Sequence, residues 1–204
     1  MIFSLFGCGK KTKEATFWEW FMANEEMLLN FDDSNQEAVF NQLSYEMSKV
    51  HPDLTFEFSS LMDNGTKEFI ISAGGIKAAF PSVESLYKLA PKSEKWVFIK
   101  YRPRRKPMSV EFAGKEIHPN NINAQLFKDG EKVGIMLFIK GYEESQSNIY
   151  EQIGFLFLDQ ALGEYDIETK VGFIEFTDQD SKYFTNSFSL LQLSSRFDEY
   201  INNK

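Results

Sequence analysis

Histidine and cysteine are almost absent from this chain of 204 residues. It contains two histidines, His51 and His118, and one cysteine, Cys8. A histidine general base, a Cys/His zinc site and a Ser/His/Asp triad all need side chains that titrate or bind metals near neutral pH. The sequence therefore predicts no metal site and no cofactor. It favours a protein without catalytic activity, although its 30 Asp and Glu residues leave carboxylate chemistry open.

Net positive charge and long apolar runs are also missing. The formal charge is −8, and neutralising phosphates requires a net basic face, so we expect no nucleic-acid partner. The longest apolar run, Val133 to Ile139, falls well short of the ~18 residues that span a bilayer. A single cysteine cannot form an internal disulfide, and nothing else indicates an oxidising compartment. We therefore expect a cytoplasmic protein that makes no membrane contact.

Phenylalanine, by contrast, is abundant, with 21 residues in the chain. Phenylalanine, lysine, asparagine and isoleucine rise together when a genome is rich in AT base pairs, and buried aromatic rings usually serve the core. We attribute the excess to codon usage and core packing rather than to an aromatic binding face.

Helix signals dominate the first quarter of the chain. Residues 1–14 are predicted to be a flexible basic leader, and residues 15–204 a single domain. Thr16 and Ser34 each precede a glutamate by three positions, which is the form of a capping box, so we expect a helix to start at each. The second helix should stop at His51, because the residue before a proline is pushed out of helical dihedrals.

Alternating and β-rich stretches follow. Leu54–Phe58 and Glu68–Ser72 predict an antiparallel hairpin, with Asp63-Asn-Gly65 as turn material between them. Further strands are expected at 95–101, 109–112, 123–128, 132–139 and 171–176, and further helices at 82–90, 147–161 and 190–201. Together these predict an α+β fold, with a mainly antiparallel sheet and helices at the N-terminus, in the middle and at the C-terminus.

The strongest candidate for a binding site is the basic segment Lys100-Tyr-Arg-Pro-Arg-Arg-Lys106. It holds three of the four arginines, Arg102, Arg104 and Arg105, in a chain that otherwise uses lysine. The planar guanidinium binds carboxylate or phosphate through two hydrogen bonds, where lysine supplies a point charge. The functional interpretation is an anionic ligand or an acidic partner.

A structural interpretation competes with it. Residues 141–169 contain seven acidic side chains and no basic one, and in this interpretation the two tracts face each other within the fold. Exposed ion pairs of this kind contribute little and require no partner. The sequence leaves both interpretations open.

Two tryptophans flank Glu19 in the first predicted helix. Trp18 and Trp20 point about 200° apart on a helix, so we expect one of them to be buried and the other to be less so. An exposed tryptophan is a typical anchor for a partner or ligand, whereas a tryptophan in the core is the commoner outcome.

Several segments together resemble a family of uncharacterised bacterial proteins of about this size. They are Phe17-Trp-Glu-Trp-Phe21, His51-Pro-Asp-Leu-Thr-Phe-Glu-Phe58, Ile71-Ser-Ala-Gly74, Leu162-Gly-Glu-Tyr165 and Val171-Gly-Phe-Ile-Glu-Phe176. The resemblance covers residues 16–200 and implies a bacterial origin and one continuous domain. It carries no assigned activity, so no functional residue is transferred.

The leading functional hypothesis is a non-catalytic bacterial interaction protein, of the immunity or accessory kind, that binds and occludes another protein. It predicts an exposed aromatic or apolar patch beside a charged rim. The alternative is a domain that binds an anionic ligand, or a carboxylate-dependent enzyme, that uses Arg102, Arg104 and Arg105. A structural homo-oligomer is a third reading, because it requires only a self-complementary apolar patch.

Overall fold

A computed structural model describes residues 11–203, so Cys8 and most of the predicted leader lie outside the described residues. Helices and mostly antiparallel sheets alternate along the chain without regular βαβ order, which confirms the predicted α+β class. The chain forms two compact units, one extending to Lys100 and the other starting at Tyr101. The single domain over residues 15–204 stays a prediction.

The first unit carries four helices in its described part: α1 (Lys13–Ala23), α2 (Glu25–Leu29), α3 (Gln36–Val50) and α4 (Phe80–Lys88). The predicted start of α1 at Thr16 is wrong. The hydroxyl of Thr12 accepts a hydrogen bond from the Ala15 amide at 3.2 Å and caps the helix. Thr16 lies inside α1, where its hydroxyl donates to the Thr12 carbonyl at 3.0 Å. An earlier hydroxyl therefore takes the capping role.

Helix α3 likewise begins without the predicted capping box. Its N-cap residue is Asn35, and the hydroxyl of Ser34 donates to the Asp32 carboxylate at 2.5 Å instead of serving the helix. A nearby acceptor thus competes for the serine. The predicted stop is confirmed, because α3 ends at Val50 and His51 has extended dihedrals.

The sheet of the first unit has three strands in the order β1 (Thr55–Phe58), β2 (Lys67–Ser72) and β3 (Trp96–Lys100). The predicted hairpin is confirmed, with Phe58 opposite Phe69 in an antiparallel pair. Strand β3 runs parallel to β2, which the sequence analysis did not predict. Strand β1 is therefore an edge strand of the sheet. Rings from α1 and from the sheet fill the core, where the centroids of Phe21 and Phe69 lie 4.8 Å apart.

The second unit has six strands and three helices among its described residues: β4 (Val110–Phe112), β5 (Lys115–Ile117), β6 (Ile122–Asp129), β7 (Lys132–Ile139), α5 (Ser147–Leu162), α6 (Glu164–Lys170), β8 (Val171–Thr177), β9 (Phe188–Ser189) and α7 (Leu193–Asn202). Strands β4 and β5 form a hairpin, and the other four pair in the order β8-β7-β6-β9. Helix α6 and strands β5 and β9 were not predicted from the sequence. All three are short, and short elements have weak periodic signals.

Helix α5 lies in the core of the second unit. Ile153 and Phe157 are fully buried on it, in one cluster with β6, β7 and α7. The close approach of strand β8 requires a glycine, because a Cβ at Gly154 would lie 2.1 Å from the ring of Phe176. The helix ends at Leu162, one residue beyond the predicted 147–161, and Gly163 is its C-cap residue.

Candidate functional site

Arg104 is the centre of an ion-pair cluster within the second unit. Its guanidinium makes a bidentate pair with the two carboxylate oxygens of Asp198, at 2.8 and 2.9 Å, and also donates to Asp166. Its Nε donates to the Leu162 carbonyl at 3.1 Å. These contacts raise the pKa of Arg104, chiefly through the hydrogen bonds to Asp198, and the same bonds lower the pKa of Asp198. Lys170 adds a further pair to Asp166 at 2.6 Å.

Arg102 contacts the end of α5 and the start of α6 in the same unit. Its guanidinium pairs with Asp159 at 2.9 Å, and its backbone amide donates to the Glu164 carboxylate at 3.1 Å. In return, the Glu164 amide donates to the Arg102 carbonyl at 3.0 Å. Arg105 is exposed, and its amide donates to the Gln160 carbonyl at 2.6 Å. The segment is thus bound along the end of α5 and the start of α6 by backbone as well as side-chain contacts.

Positive charges of this basic segment pair with different carboxylates in the two units. Lys100 belongs to the first unit and pairs with Glu84 at 2.8 Å. The guanidiniums of Arg102 and Arg104 pair with three aspartates, two of which lie in the acidic tract that the sequence analysis identified. The structural interpretation of that tract is the one these contacts support. Arg102, Arg104 and Arg105 line none of the three clefts described below.

The two tryptophans differ as expected. Trp18 is 4% exposed, and its indole Nε1 donates to the Leu86 carbonyl at 2.8 Å, so it belongs to the core. Trp20 is half-buried, with its ring 6.3 Å from that of Phe17. Neither ring stands out as a fully exposed anchor.

A different site lies in the first unit, between the edge strand β1, the start of α3 and the segment before α3. Four half-buried phenylalanine rings contact each other in a closed circuit, with centroid distances of 5.1 to 5.6 Å. They line a cleft of about 560 Å³, which we call the phenylalanine cleft. Its lining includes Phe31, Gln36, Phe40, Phe56, Phe58, Leu61 and Lys67. Leu61 is 68% exposed at its mouth.

Acidic side chains flank this cleft. A shallower depression shares Gln36 and Phe40 with it and is also lined by Asp33 and Glu37. Glu57, on β1, contributes to the lining of the cleft itself. The aromatic surface therefore has acidic side chains at its rim.

Lys67 is the one cation that lines the phenylalanine cleft among the described residues. The residue is only 7% exposed. Its Nζ lies 3.8 Å from the ring centroid of Phe31 and 5.1 Å from that of Phe58. Burial lowers the pKa of this amine, because the charged form loses hydration.

Sequence reasoning missed this cleft because its rings come from separate segments. The sequence of β2 contains a usable signal. Lys67, Phe69 and Ile71 are two residues apart and therefore lie on the same face of the strand. A lysine at a position where the period-2 pattern expects an apolar residue marks a buried charge.

The second unit has a cleft of its own, of about 640 Å³, beside β6, β9 and α7. Arg196 and Lys128 contribute to its lining, together with Phe188 and Tyr200. Arg196 is more than half exposed and lies 3.9 Å from Glu199. The two cations that line this cleft, Lys128 and Arg196, are exposed to solvent and are hydrated without a ligand.

Comparisons with known proteins give no assignment: no family model, no curated protein and no solved structure matches this chain. Within residues 11–203, no three or more His, Cys, Asp or Glu side chains are grouped so as to hold a metal ion. Of the helices in that part of the chain, none has the length and apolar character needed to cross a bilayer.

Proposed function

We propose that this chain is a non-catalytic bacterial interaction protein, of the immunity or accessory kind, that binds another protein through the phenylalanine cleft. The observation that carries the proposal is a cleft of contacting phenylalanine rings, with the exposed Leu61 at its mouth and acidic side chains at its rim. Aromatic rings in a concave surface with a polar rim are typical of protein interfaces. The bacterial origin rests on the family resemblance of the sequence.

The edge strand gives further support. Strand β1 has β2 on one side and no strand on the other among the described residues, and its Phe56 and Phe58 line the cleft. A sheet edge presents backbone groups to which a partner's chain can add. The cleft and the edge together offer both side-chain and main-chain contacts to a partner.

The alternative function, an anionic site made of Arg102, Arg104 and Arg105, has weaker support. The guanidiniums of Arg102 and Arg104 are engaged by Asp159, Asp166 and Asp198. An incoming anion has to displace these aspartates, of which Asp159 and Asp166 are partly buried and Asp198 is half exposed. We therefore retain the interaction function alone.

The test compares two variants with equally exposed apolar residues. Leu61→Asp alters the mouth of the cleft, and Met108→Asp alters the second unit, where Met108 is also 68% exposed. Each variant and the wild type are immobilised and incubated with a lysate of the source cells, and bound proteins are identified by mass spectrometry. The proposal expects a stoichiometric partner with the wild type and Met108→Asp and its loss with Leu61→Asp.

Three outcomes contradict this proposal. Equal retention by both variants places the interface elsewhere, and the absence of any stoichiometric partner removes the interaction function. Recovery of only further copies of this chain, with a change in mass by light scattering that Leu61→Asp abolishes, assigns the cleft to a homo-oligomer interface instead.

A further inference from the structure

The Lys67 side chain is largely buried, and its amine lines the phenylalanine cleft without an anion. Among the described residues, no carboxylate pairs with its amine and no oxygen accepts a hydrogen bond from it, and the amine lies over the rings of Phe31 and Phe58. An ammonium group has three donors and no acceptor, so the ring faces satisfy its charge in part and its hydrogen-bonding capacity poorly. A buried charge that is left unpaired in this way costs folding free energy.

The position of the amine makes it available to a ligand. Lys67 and the two rings it contacts all line the phenylalanine cleft, so an anion entering the cleft meets the ammonium at the wall. An amine that has lost part of its hydration in the fold gains more from a bound anion than an exposed lysine does, because part of the loss of hydration has been met during folding.

We propose that the phenylalanine cleft binds a small apolar monocarboxylate, an aryl-alkyl or aliphatic acid, whose carboxylate pairs with the Lys67 amine and whose hydrocarbon part packs on the phenylalanine rings. The volume of about 560 Å³ lies within the range of small-molecule sites. The four rings supply the apolar walls of such a site, and Lys67 supplies the single charged group that fixes the orientation of the ligand.

The rim restricts the ligand to one negative charge. Asp33 and Glu37 lie beside the cleft, Glu57 lines it, and Lys67 is its one cation among the described residues. A second carboxylate or a phosphate has no cation to meet and is repelled by the rim and by the net charge of −8. This selection by charge favours a free monocarboxylic acid over an acidic protein segment.

The inference goes beyond the interaction function and is independent of it. A monocarboxylate and a protein partner occupy the same cleft in the two proposals, so the acid is expected to compete with the partner. Binding of the acid itself requires no partner and is measured on the isolated chain. Failure of one proposal is therefore distinguishable from failure of the other.

The experiment uses 4-phenylbutanoate and its neutral analogue 4-phenylbutanamide as probes of the full chain. Affinity is measured by calorimetry, and the site is located by NMR shifts of the Lys67 and Leu61 resonances. The wild type is expected to bind the acid roughly tenfold or more tightly than the amide, as for a hydrogen bond to a charged group. Lys67→Met should reduce acid binding to the level of the amide.

Lys115→Met is the matched control, because Lys115 also lies over an aromatic ring, with its Nζ 4.9 Å from the Tyr150 centroid, in the second unit. It should leave acid binding unchanged. Equal binding of acid and amide by the wild type overturns the proposal whether or not Lys67→Met folds. So does the absence of saturable acid binding. Tighter binding of an apolar peptide through its C-terminal carboxylate than of any free acid overturns the assignment to a small molecule.

Discussion

Gly163 and Arg102 approach each other so closely that a Cβ on Gly163 would lie 2.8 Å from the Arg102 carbonyl oxygen and 3.0 Å from the Arg104 amide nitrogen. Gly163 also has φ +74° and ψ 155°, a conformation that is essentially restricted to glycine. This glycine ends α5 and starts α6, so it fixes the corner against which the arginine segment lies. The basic segment is thus positioned by a close backbone contact in addition to its ion pairs.

Gly163→Ala should destabilise the protein by about 2 kcal/mol or more, because both the backbone strain and the clash oppose it. Gly141→Ala is the control, since Gly141 also has a positive φ, +77°, but has nothing within 4 Å of its Cβ position. It should cost about 1 kcal/mol, the backbone term alone. Urea denaturation of the two variants measures the difference. Equal losses would show that the contact with Arg102 and Arg104 is not tight in solution.

Arg104→Met should lower stability by about 1–3 kcal/mol, because it removes the bidentate bonds to Asp198 and leaves partly buried Asp166 with Lys170 alone. Arg196→Met is the comparison, since its pair with Glu199 is long and exposed on both sides. That variant should change stability by less than about 0.5 kcal/mol. Arg104→Lys should restore little, because lysine cannot form the planar two-bond pair. If Arg104→Lys is as stable as the wild type, the positive charge alone accounts for the stabilisation and the two-bond geometry contributes nothing.

The same pair predicts an acid-sensitive stability. Hydrogen bonds from Arg104 hold the pKa of Asp198 below its ordinary value, so the carboxyl is a weaker base in the folded chain than in the unfolded one. Its stabilising contribution is fully present above the unfolded pKa of about 3.9 and is lost as pH falls through the folded pKa. Asp198→Asn should therefore flatten the loss of stability below about pH 4. Denaturation across this range checks the slope, and a slope in Asp198→Asn equal to that of the wild type contradicts the prediction.

Two buried tryptophans differ in how their indole nitrogens are satisfied. Trp18 donates to the Leu86 carbonyl, whereas the Nε1 atom of Trp96, which is 3% exposed, has no partner among the described residues. Trp18→Phe removes one hydrogen bond to the Leu86 carbonyl, which still accepts from the Leu89 amide at 3.2 Å. Trp96→Phe removes a donor that was already unpaired. Both lose similar volume, so Trp18→Phe should cost about 1 kcal/mol more. Thermal unfolding of both variants tests this, and an equal or larger loss in Trp96→Phe contradicts it.

Local signals located most elements of the fold. The alternation in Leu54–Phe58 and the proline after His51 are decided within a few residues, so the hairpin and the end of α3 were predictable. The start of α1 was not, because Thr12 and Thr16 are both adequate caps and the choice depends on packing further along the helix. The parallel pairing of β3 with β2 depends on long-range contacts that no local pattern encodes.

The candidate site shows the same division. Pairing of the arginines with the acidic tract was one of two interpretations that the sequence left open, and Asp159 and Asp166 do pair with them. Asp198 was missed because it comes from a distant helix. The phenylalanine cleft was also missed, since phenylalanine is common throughout the chain and only the fold brings Phe31, Phe40 and Phe58 into contact.

Lys67→Met should stabilise the protein at neutral pH. Burial lowers the pKa of Lys67, so below the folded pKa both states carry the proton and the folded chain bears the full cost of the buried charge. Between the folded pKa and the unfolded value of about 10.4, the unfolded chain binds more protons, so wild-type stability rises with pH. The advantage of the methionine variant should therefore be largest near about pH 7 and should shrink towards about pH 10.

Urea denaturation of the wild type, Lys67→Met and Lys115→Met at the two pH values measures this trend. Residues of binding sites often lower the folding stability of a protein. A destabilising lysine in the aromatic wall of the cleft therefore agrees with a ligand site. If Lys67→Met is less stable than the wild type at neutral pH, the contacts with Phe31 and Phe58 outweigh the burial of the charge. The amine would then have a structural reason to be in the cleft, and the carboxylate site would lose its energetic argument.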